Sequence, residues 1–484
     1  MADNRAADER LILVTGATGA VGGRLAKALE MFGHRLRCLA RRPERLRPLL
    51  RDSTAVVQGD VLDIESLRNA MQGVHTAYYL VHSMASAGPF EEEDRRAAEN
   101  FAQAARETGV QRIIYLGALA HGPHLSRHLT SRQEVGSILR ESGVQTIEFR
   151  ASIIIGANSV SFEFIRALIE KLPLIPAPRW VRTLSQPIGI HDVIYFLLGA
   201  LDRQTKHNEI FEIGGACPVS YLDLMKEYAR QRRLKRLMVP IPVLTLRLTS
   251  LWLALLTPAQ ARVGRKLIEG LRNETVVWES GAREAFGVEP KGMPEAIRHE
   301  LETEDRTFAE ARWGDLMAAA EKKTGWGGVK FGARLVDSRA VEVSLPPERA
   351  FAPIRRIGGH RRWYHANWLW NARGMIDKVL GGVGMWRGRR DPEELQVGDV
   401  VDCWRVEAFE PHRLLRLVAD MKMPGRGWLQ FEVEPTARGA TIRQTAIFDP
   451  RGLSGLIYWY GLYPIHGHVF AGMVRAIARE AARP

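Results

Sequence analysis

The stretch Leu11-Ile12-Leu13-Val14-Thr15-Gly16-Ala17-Thr18-Gly19-Ala20-Val21-Gly22-Gly23 decides the fold. Its first four residues are an apolar run that predicts a buried parallel strand, and Leu25, Ala26 and Leu29 carry on with helical periodicity. A strand, a glycine turn and a helix in that order make a dinucleotide cradle. Gly16 permits the tight turn and Gly19 lets backbone amides approach a pyrophosphate. Gly22 lets the helix pack close to the sheet, with its N-terminal dipole toward the phosphates. Thr18, Ala20 and Val21, interleaved with these glycines, belong to the same predicted cofactor-binding loop.

The spacing G-x-x-G-x-x-G resembles that of the extended and atypical short-chain dehydrogenase/reductases. In an NAD site the second strand ends in Asp or Glu, which bonds the ribose 2′-hydroxyl. Here the strand over Arg35 to Ala40 ends in Ala40-Arg41-Arg42, with no carboxylate before Glu44. Two guanidiniums at that place suit a 2′-phosphate, so NADP(H) is favoured over NAD(H). The other reading is that Arg41 and Arg42 only solvate a loop. A third strand is expected over Val56 to Val61, and the resemblance places Asp60 and Val61 at the adenine. A fourth strand and its loop, Ala77 to Ser83, would carry Leu80 and His82 beneath the ribose and nicotinamide.

The chain has 484 residues, which predicts two or three domains. Cys38, Cys217 and Cys403 are far apart and odd in number, which excludes a disulfide framework and an all-Cys metal site. No metal is expected. The charged start shows no apolar signal segment, so a cytoplasmic location is expected, with peripheral membrane contact as a variant. Net charge is +13, and only 12 of the 68 basic residues are Lys. Such a field favours anionic partners, but no recognition motif accompanies it, and nucleic acid is not expected. The basic cluster Lys226 to Arg236, followed by Leu248, Leu251, Trp252, Leu255 and Leu256, reads either as a helix pair lying on a membrane surface or as solvated and core helices.

Short-chain reductases use a Tyr-x-x-x-Lys pair for proton exchange with the substrate oxygen. The first 170 residues hold a single lysine, Lys27, so that pair cannot form in the nucleotide domain. On the family pattern the helix after the fifth strand, Arg112 to Ala118, places His128 where Tyr would stand and Arg132 where Lys would stand. They are one helical turn apart and are the candidate catalytic pair, His128 as proton donor and Arg132 as holder of a ribose hydroxyl or phosphate. Tyr115, Ser131 and His82 are weaker substitutes. A kept glycine turn with a lost Tyr/Lys pair, together with Ser131-Arg132-Gln133-Glu134-Val135 and Thr146 to Arg150, is similar to the NmrA-like atypical branch. That branch implies quinone or isoflavone-type reductases, NADP-sensing regulators or non-catalytic subunits. It also implies that Asp192 caps a helix from Val193 to Leu201.

The expected boundaries are residues 8–310 for the nucleotide domain, 311–330 for a linker and 331–484 for a second domain. Nine of the 12 Trp lie from Trp313 to Trp459, and Leu415 to Met423 and Leu429 to Glu434 alternate as half-buried antiparallel strands do. Ser454 to Glu480 reads as a long helix interrupted at Pro464. The pattern resembles the START or polyketide-cyclase helix-grip fold, which implies an apolar cavity, with Trp363 to Trp370 either lining it or forming core. The predicted fold class is α/β, a doubly wound parallel Rossmann sheet with a small substrate lobe, followed by an α+β helix-grip domain. Three functions fit: an oxidoreductase on a small hydrophobic carbonyl or quinone, a non-catalytic NADP(H) sensor, and a membrane-peripheral lipid-binding or assembly protein.

Overall fold

In the computed structural model the described residues are 10–82, 90–241, 269–310, 326–331, 333–385 and 387–483. The chain divides into two compact units, Met1–Ala309 and Glu310–Pro484.

The first unit begins with β1 (Leu11–Thr15), α1 (Ala20–Met31), β2 (Leu36–Ala40), β3 (Ala55–Gln58), α2 (Ile64–Met71), β4 (Val74–Tyr79) and α3 (Phe90–Glu107). It continues with β5 (Arg112–Ala118), α4 (Arg127–Glu141), β6 (Gln145–Ala151), β7 (Ile154–Ile155), α5 (Val160–Lys171), β8 (Leu174–Ala177), β9 (Leu184–Ser185) and β10 (Ile188–Gly189). Then come α6 (Ile190–Asp202), β11 (Glu209–Ile213), β12 (Val219–Ser220), α7 (Tyr221–Gln231), β13 (Leu237–Pro240), α8 (Gly281–Phe286) and α9 (Met293–Glu310). Seven strands form one parallel sheet in the order β11-β6-β5-β4-β1-β2-β3.

The apolar run in β1 is continuous because both of its faces are covered. Ile12 and Val14 pack with Leu25 of α1 and Val193 of α6, whereas Leu13 packs with Leu67 of α2, Phe101 of α3 and Val135 of α4. The sheet is therefore doubly wound. A smaller lobe gathers Phe162 of α5, Tyr228 of α7 and Ile297 of α9 around Ile153 and Ile175.

Two local expectations are corrected in this unit. Helix α6 starts at Ile190 with the extended Gly189 as its cap, so Asp192 falls inside the first turn. Its carboxylate instead accepts the Lys291 N–H at 3.0 Å, tying the helix to the segment before α9. The basic cluster does not form one helix either, because α7 ends at Gln231 and the chain turns into β13. Arg232 donates to Glu170 at 2.7 Å and Arg236 to the Ile169 carbonyl at 2.6 Å, so these two cations brace α5. The apolar stretch with Leu248, Leu251, Trp252, Leu255 and Leu256 lies outside the described residues.

The second unit runs β14 (Val329–Phe331), β15 (Arg334–Val343), α10 (Pro347–Arg355), α11 (Asn367–Val379), β16 (Val400–Val401), β17 (Trp404–Glu410), β18 (Leu414–Ala419), β19 (Gly425–Thr436), β20 (Gly439–Pro450) and α12 (Gly452–Ala481). Its strands make one antiparallel sheet, β14-β15-β20-β19-β18-β17-β16, with α12 against β15 and β20. The predicted break at Pro464 is absent, and α12 is one helix of 30 residues. Proline removes one backbone bond, but Trp459 before it and Val469, Phe470 and Met473 after it are buried in the same core and hold both halves in line. Among the described residues no helix is long and apolar enough to cross a membrane.

Candidate active site

The glycine turn is built by close backbone approach. Gly16 has φ +71°, and a Cβ there would stand 2.4 Å from the Leu80 carbonyl oxygen. A Cβ on Gly22 would stand 2.3 Å from the Gly16 carbonyl oxygen, so α1 can start where it does only on glycine. The Gly19 N–H donates to that same carbonyl at 2.8 Å and closes the turn. Thr15 sews β1 to β4 beneath it, its hydroxyl donating to the Tyr78 carbonyl at 2.8 Å and accepting the Leu80 N–H at 3.3 Å.

A cleft of about 340 Å³ opens over this turn at the carboxyl ends of β1 to β4. Of the predicted cofactor residues, Gly16, Thr18, Arg41, Asp60, Val61 and His82 line it. Leu80 sits against Gly16 at its edge, and Gly19, Ala20, Val21 and Gly22 form the turn and the start of α1. Arg42 is exposed and stands outside the lining. Asp60 shapes its own loop, with the Leu62 N–H on its carboxylate at 3.1 Å and its N–H on Ser66 Oγ at 3.0 Å. Glu93 and Asp94 of α3 also line the cleft. The run Glu91 to Asp94 has the composition of a solvated helix face, so the sequence singled out neither.

A second cavity, of about 100 Å³, lies at the carboxyl ends of the next two strands, β5 and β6. Ala118, Leu119, Ile153, Phe164, Trp180 and Met225 give it an apolar wall, and His128, Ser152, Tyr221 and Thr275 bring polar groups to it. Ser152 and Thr275 hydroxyls are 2.7 Å apart, and the Tyr221 phenol is hydrogen-bonded to Thr275. Burial raises the Tyr221 pKa, so this phenol stays a protonated donor. Four elements far apart in sequence meet here, which is why no motif disclosed the cluster.

The structure separates the proposed catalytic pair. His128 reaches the second cavity, but Arg132 turns inward. The Arg132 guanidinium donates to the Leu116 carbonyl at 2.5 Å and to the Val81 carbonyl at 3.3 Å, joining α4 to the ends of β5 and β4. The substitutes are engaged as well. Tyr115 is fully buried and donates to the Arg132 carbonyl at 2.9 Å, and Ser131 donates to Asp94 at 3.2 Å. His82 faces the cofactor cleft.

Residues 16–152 match a family described as NAD(P)H-binding, and residues 331–473 match a protein of unknown function, DUF2867. The chain is 38% identical over 136 residues to (4-alkanoyl-5-oxo-2,5-dihydrofuran-3-yl)methyl phosphate reductase of Streptomyces griseus, covering 28% of this chain and 44% of that protein. It is 29% identical over 171 residues to ceramide reductase of Caulobacter vibrioides, covering 34% and 53%. The chain thus spans about half the length of these curated relatives. An epimerase structure from Methanothermobacter thermautotrophicus shares the fold with a TM-score of 0.51 at 14% identity, covering 63% of this chain and 95% of that one. The first unit accordingly has a Rossmann-type fold whose residues 16–152 match an NAD(P)H-binding family, and residues 331–473 of the second unit match a family without known function.

Proposed function

We propose that this protein is a reductase of the NmrA-like kind that prefers NADP(H) and delivers a hydride to a hydrophobic carbonyl compound or quinone. The observation that carries this reading is the placement of two cavities along one edge of one parallel sheet. The cofactor cleft lies over β1 to β4, and the smaller cavity with an apolar wall and hydroxyl donors lies over the neighbouring β5 and β6. Ligands of open α/β sheets bind at that edge.

When bound, NAD(P)H supplies the hydride. Ser152, Thr275 and Tyr221 orient the substrate oxygen from the cavity wall, and His128 delivers the proton that the oxygen takes up as its carbon gains the hydride. A quinone takes a hydride with less acid assistance than a ketone, which suits a site without the Tyr/Lys pair. Arg41 in the cleft lining, with no carboxylate at the end of β2, supports the 2′-phosphate and hence NADP(H).

A second reading, an NADP(H) sensor without chemistry, is favoured by the inward turn of Arg132, which leaves the family's lysine position without a cation in the second cavity. Titration with NADPH by nicotinamide fluorescence, then loss of reduced-cofactor absorbance with a panel of quinones and apolar ketones, separates the two. Turnover that falls in His128→Ala supports the reductase. Tight binding without turnover supports the sensor, and absence of binding overturns both.

A further inference from the structure

The expected cavity-lining segment Trp363 to Trp370 divides in the second unit. Leu369 and Trp370 reach a cavity of about 230 Å³ between the sheet and the helices α11 and α12, and Trp363 is fully buried, donating its indole N–H to Asp402 at 3.0 Å. Trp368 instead faces solvent and is 69% exposed. Met375 and Val379, 68% and 87% exposed, follow it at seven and eleven residues, which puts all three on one stripe of α11. Exposed Ile376 and Leu380 widen that stripe on one flank. The helix is therefore apolar toward solvent as well as toward the core. The Arg373 Nε reaches the Tyr458 phenol of α12 at 3.4 Å, and Ile376 and the exposed Ile465 border the same cavity, so the apolar surface continues onto α12. Single exposed apolar side chains are ordinary, but a contiguous patch marks an interaction site.

The charges around this face are of one sign. From Arg361 to Arg390 the chain has seven Lys and Arg and one acidic residue, Asp377, which is fully buried and accepts the Gly384 and Lys422 N–H groups at 2.9 and 2.7 Å. Exposed Lys378 flanks the stripe on α11. Lys422 donates its ammonium to the Leu380 carbonyl at 3.0 Å, which places that charge at the C-terminal end of the stripe. Arg361 and Arg362, both exposed, stand just before its N-terminal end. None of these four cations pairs with a carboxylate among the described residues. On α12, Gly452 to Val474 contains no Asp, Glu, Lys or Arg.

We propose that this face of the second unit docks on an anionic lipid bilayer, with α11 lying in the plane of the interface. Trp368, Met375 and Val379 enter the boundary of headgroups and acyl chains, and Arg361, Arg362, Lys378 and Lys422 meet the anionic headgroups. The 13 residues of α11 give a length of about 20 Å. That is too short to cross a hydrocarbon core of about 30 Å, and an apolar stripe with a cationic border is the pattern of an interfacial helix. A second copy of the chain suits the face less well. Both ends of α11 are cationic, so a two-fold pairing sets cation against cation whether the helices run parallel or antiparallel. Protein interfaces are also depleted in Lys, whereas at a bilayer the lysine stem lies along the apolar boundary while its ammonium stays among the headgroups. The surface is distinct from the basic cluster Lys226 to Arg236, two of whose cations brace α5.

This inference stands apart from the reductase reading, because it concerns the other unit. Co-sedimentation of the full chain with vesicles tests it, comparing phosphatidylcholine alone with an equimolar mixture of phosphatidylcholine and phosphatidylglycerol. Partition into the anionic vesicles is expected to be about tenfold stronger or more, and to weaken as salt is raised. Met375→Ser/Val379→Ser, at two exposed positions, should lower it about fivefold or more, and Arg361→Glu/Lys378→Glu about tenfold or more. Arg233→Glu/Lys235→Glu makes the same change of net charge in the first unit and should lower it by less than about twofold. An unchanged Tm and NADPH affinity in each variant report intact units. Absence of partition into the anionic vesicles, partition that survives either substitution on α11 and its N-terminal approach, or an equal loss in the first-unit variant would overturn the proposal. So would a dimer in sedimentation velocity that Met375→Ser/Val379→Ser dissociates, which would assign the face to a second copy of the chain.

Discussion

Tyr115 of β5 and Arg132 of α4 hold each other: the phenol donates to the Arg132 carbonyl at 2.9 Å, and the Arg132 guanidinium lies 5.2 Å from the centre of the Tyr115 ring. The same guanidinium donates to the Leu116 and Val81 carbonyls. A side chain so engaged is a brace between α4, β5 and β4. Arg132→Ala leaves two carbonyls without their charged donor, and the expected loss is about 2–4 kcal/mol of unfolding free energy. His128, half-buried at the second cavity, makes the opposite prediction. His128→Ala changes stability by less than about 1 kcal/mol and lowers kcat by about a hundredfold on any substrate found to turn over. Urea denaturation and steady-state rates of both variants check the pair, and an Arg132→Ala protein of undiminished stability would contradict the bracing role.

The glycine turn makes a sharper demand than a motif match conveys. A methyl group on Gly22 would meet the Gly16 carbonyl oxygen at 2.3 Å, and backbone offers it no soft neighbour to displace. Gly22→Ala must therefore move α1 away from the turn, at a cost of about 1–3 kcal/mol. NADPH affinity should fall at least tenfold, because the helix terminus no longer faces the phosphates. Gly73→Ala is the control: its φ is +71°, but a Cβ there meets nothing within 4 Å, so it strains the backbone without touching the cofactor. Fluorescence titration of the two variants distinguishes loss of the cradle from general backbone strain.

Cofactor choice separates two adjacent arginines that the sequence treats alike. Arg41 lines the cleft and Arg42 does not. Arg41→Glu is expected to weaken NADPH about tenfold or more while leaving NADH within about twofold, since a carboxylate repels the 2′-phosphate and accepts from a 2′-hydroxyl. Arg42→Glu should alter neither affinity by more than about twofold at moderate salt. Equal responses of the two variants would rule out Arg41 as the residue that selects a 2′-phosphate.

Much of the first sheet was legible because its central strands, β1, β4, β5 and β6, are largely buried and leave nearly uninterrupted apolar runs. The strand expected over Arg112 to Ala118 has those bounds in the structure. Edges were harder to place: the third strand ends at Gln58, so Asp60 and Val61 belong to the loop beyond it, and the fourth starts at Val74, three residues before the expected Ala77. Asp192 misled because an aspartate before an apolar helix reads as a cap, whereas tertiary packing starts α6 at Ile190, two residues before it. Pro464 misled in the other direction, since local propensity yields to a helix anchored along its length. The hydroxyl cluster of Ser152, Tyr221 and Thr275 had no sequence signal at all, because its members meet only through the folding of the small lobe.

His466 gives the second unit a pH dependence whose sign can be stated. Burial first, and Arg339 second, push its pKa down to about 4, below the ordinary value of about 6.5 that it regains on unfolding. Its ring packs between Trp459 and Phe470, each with a centroid 5.1 Å away, and its Nδ1 is buried. The unfolded chain therefore binds the proton more readily than the folded one, and unfolding free energy rises with pH across that interval. The contribution is whole above pH about 6.5 and is lost as pH falls toward 4, at no more than about 1.4 kcal/mol per pH unit for this one proton. His191 and His82 in the first unit are depressed to about 4 as well, so His466→Gln keeps some slope from those sources. The comparison that isolates His466 is urea unfolding at pH 7, 6 and 5 for the wild type and His466→Gln. The variant should lose less stability than the wild type between pH 6.5 and 5, and parallel losses would show that the imidazole is hydrated in the folded protein and titrates normally.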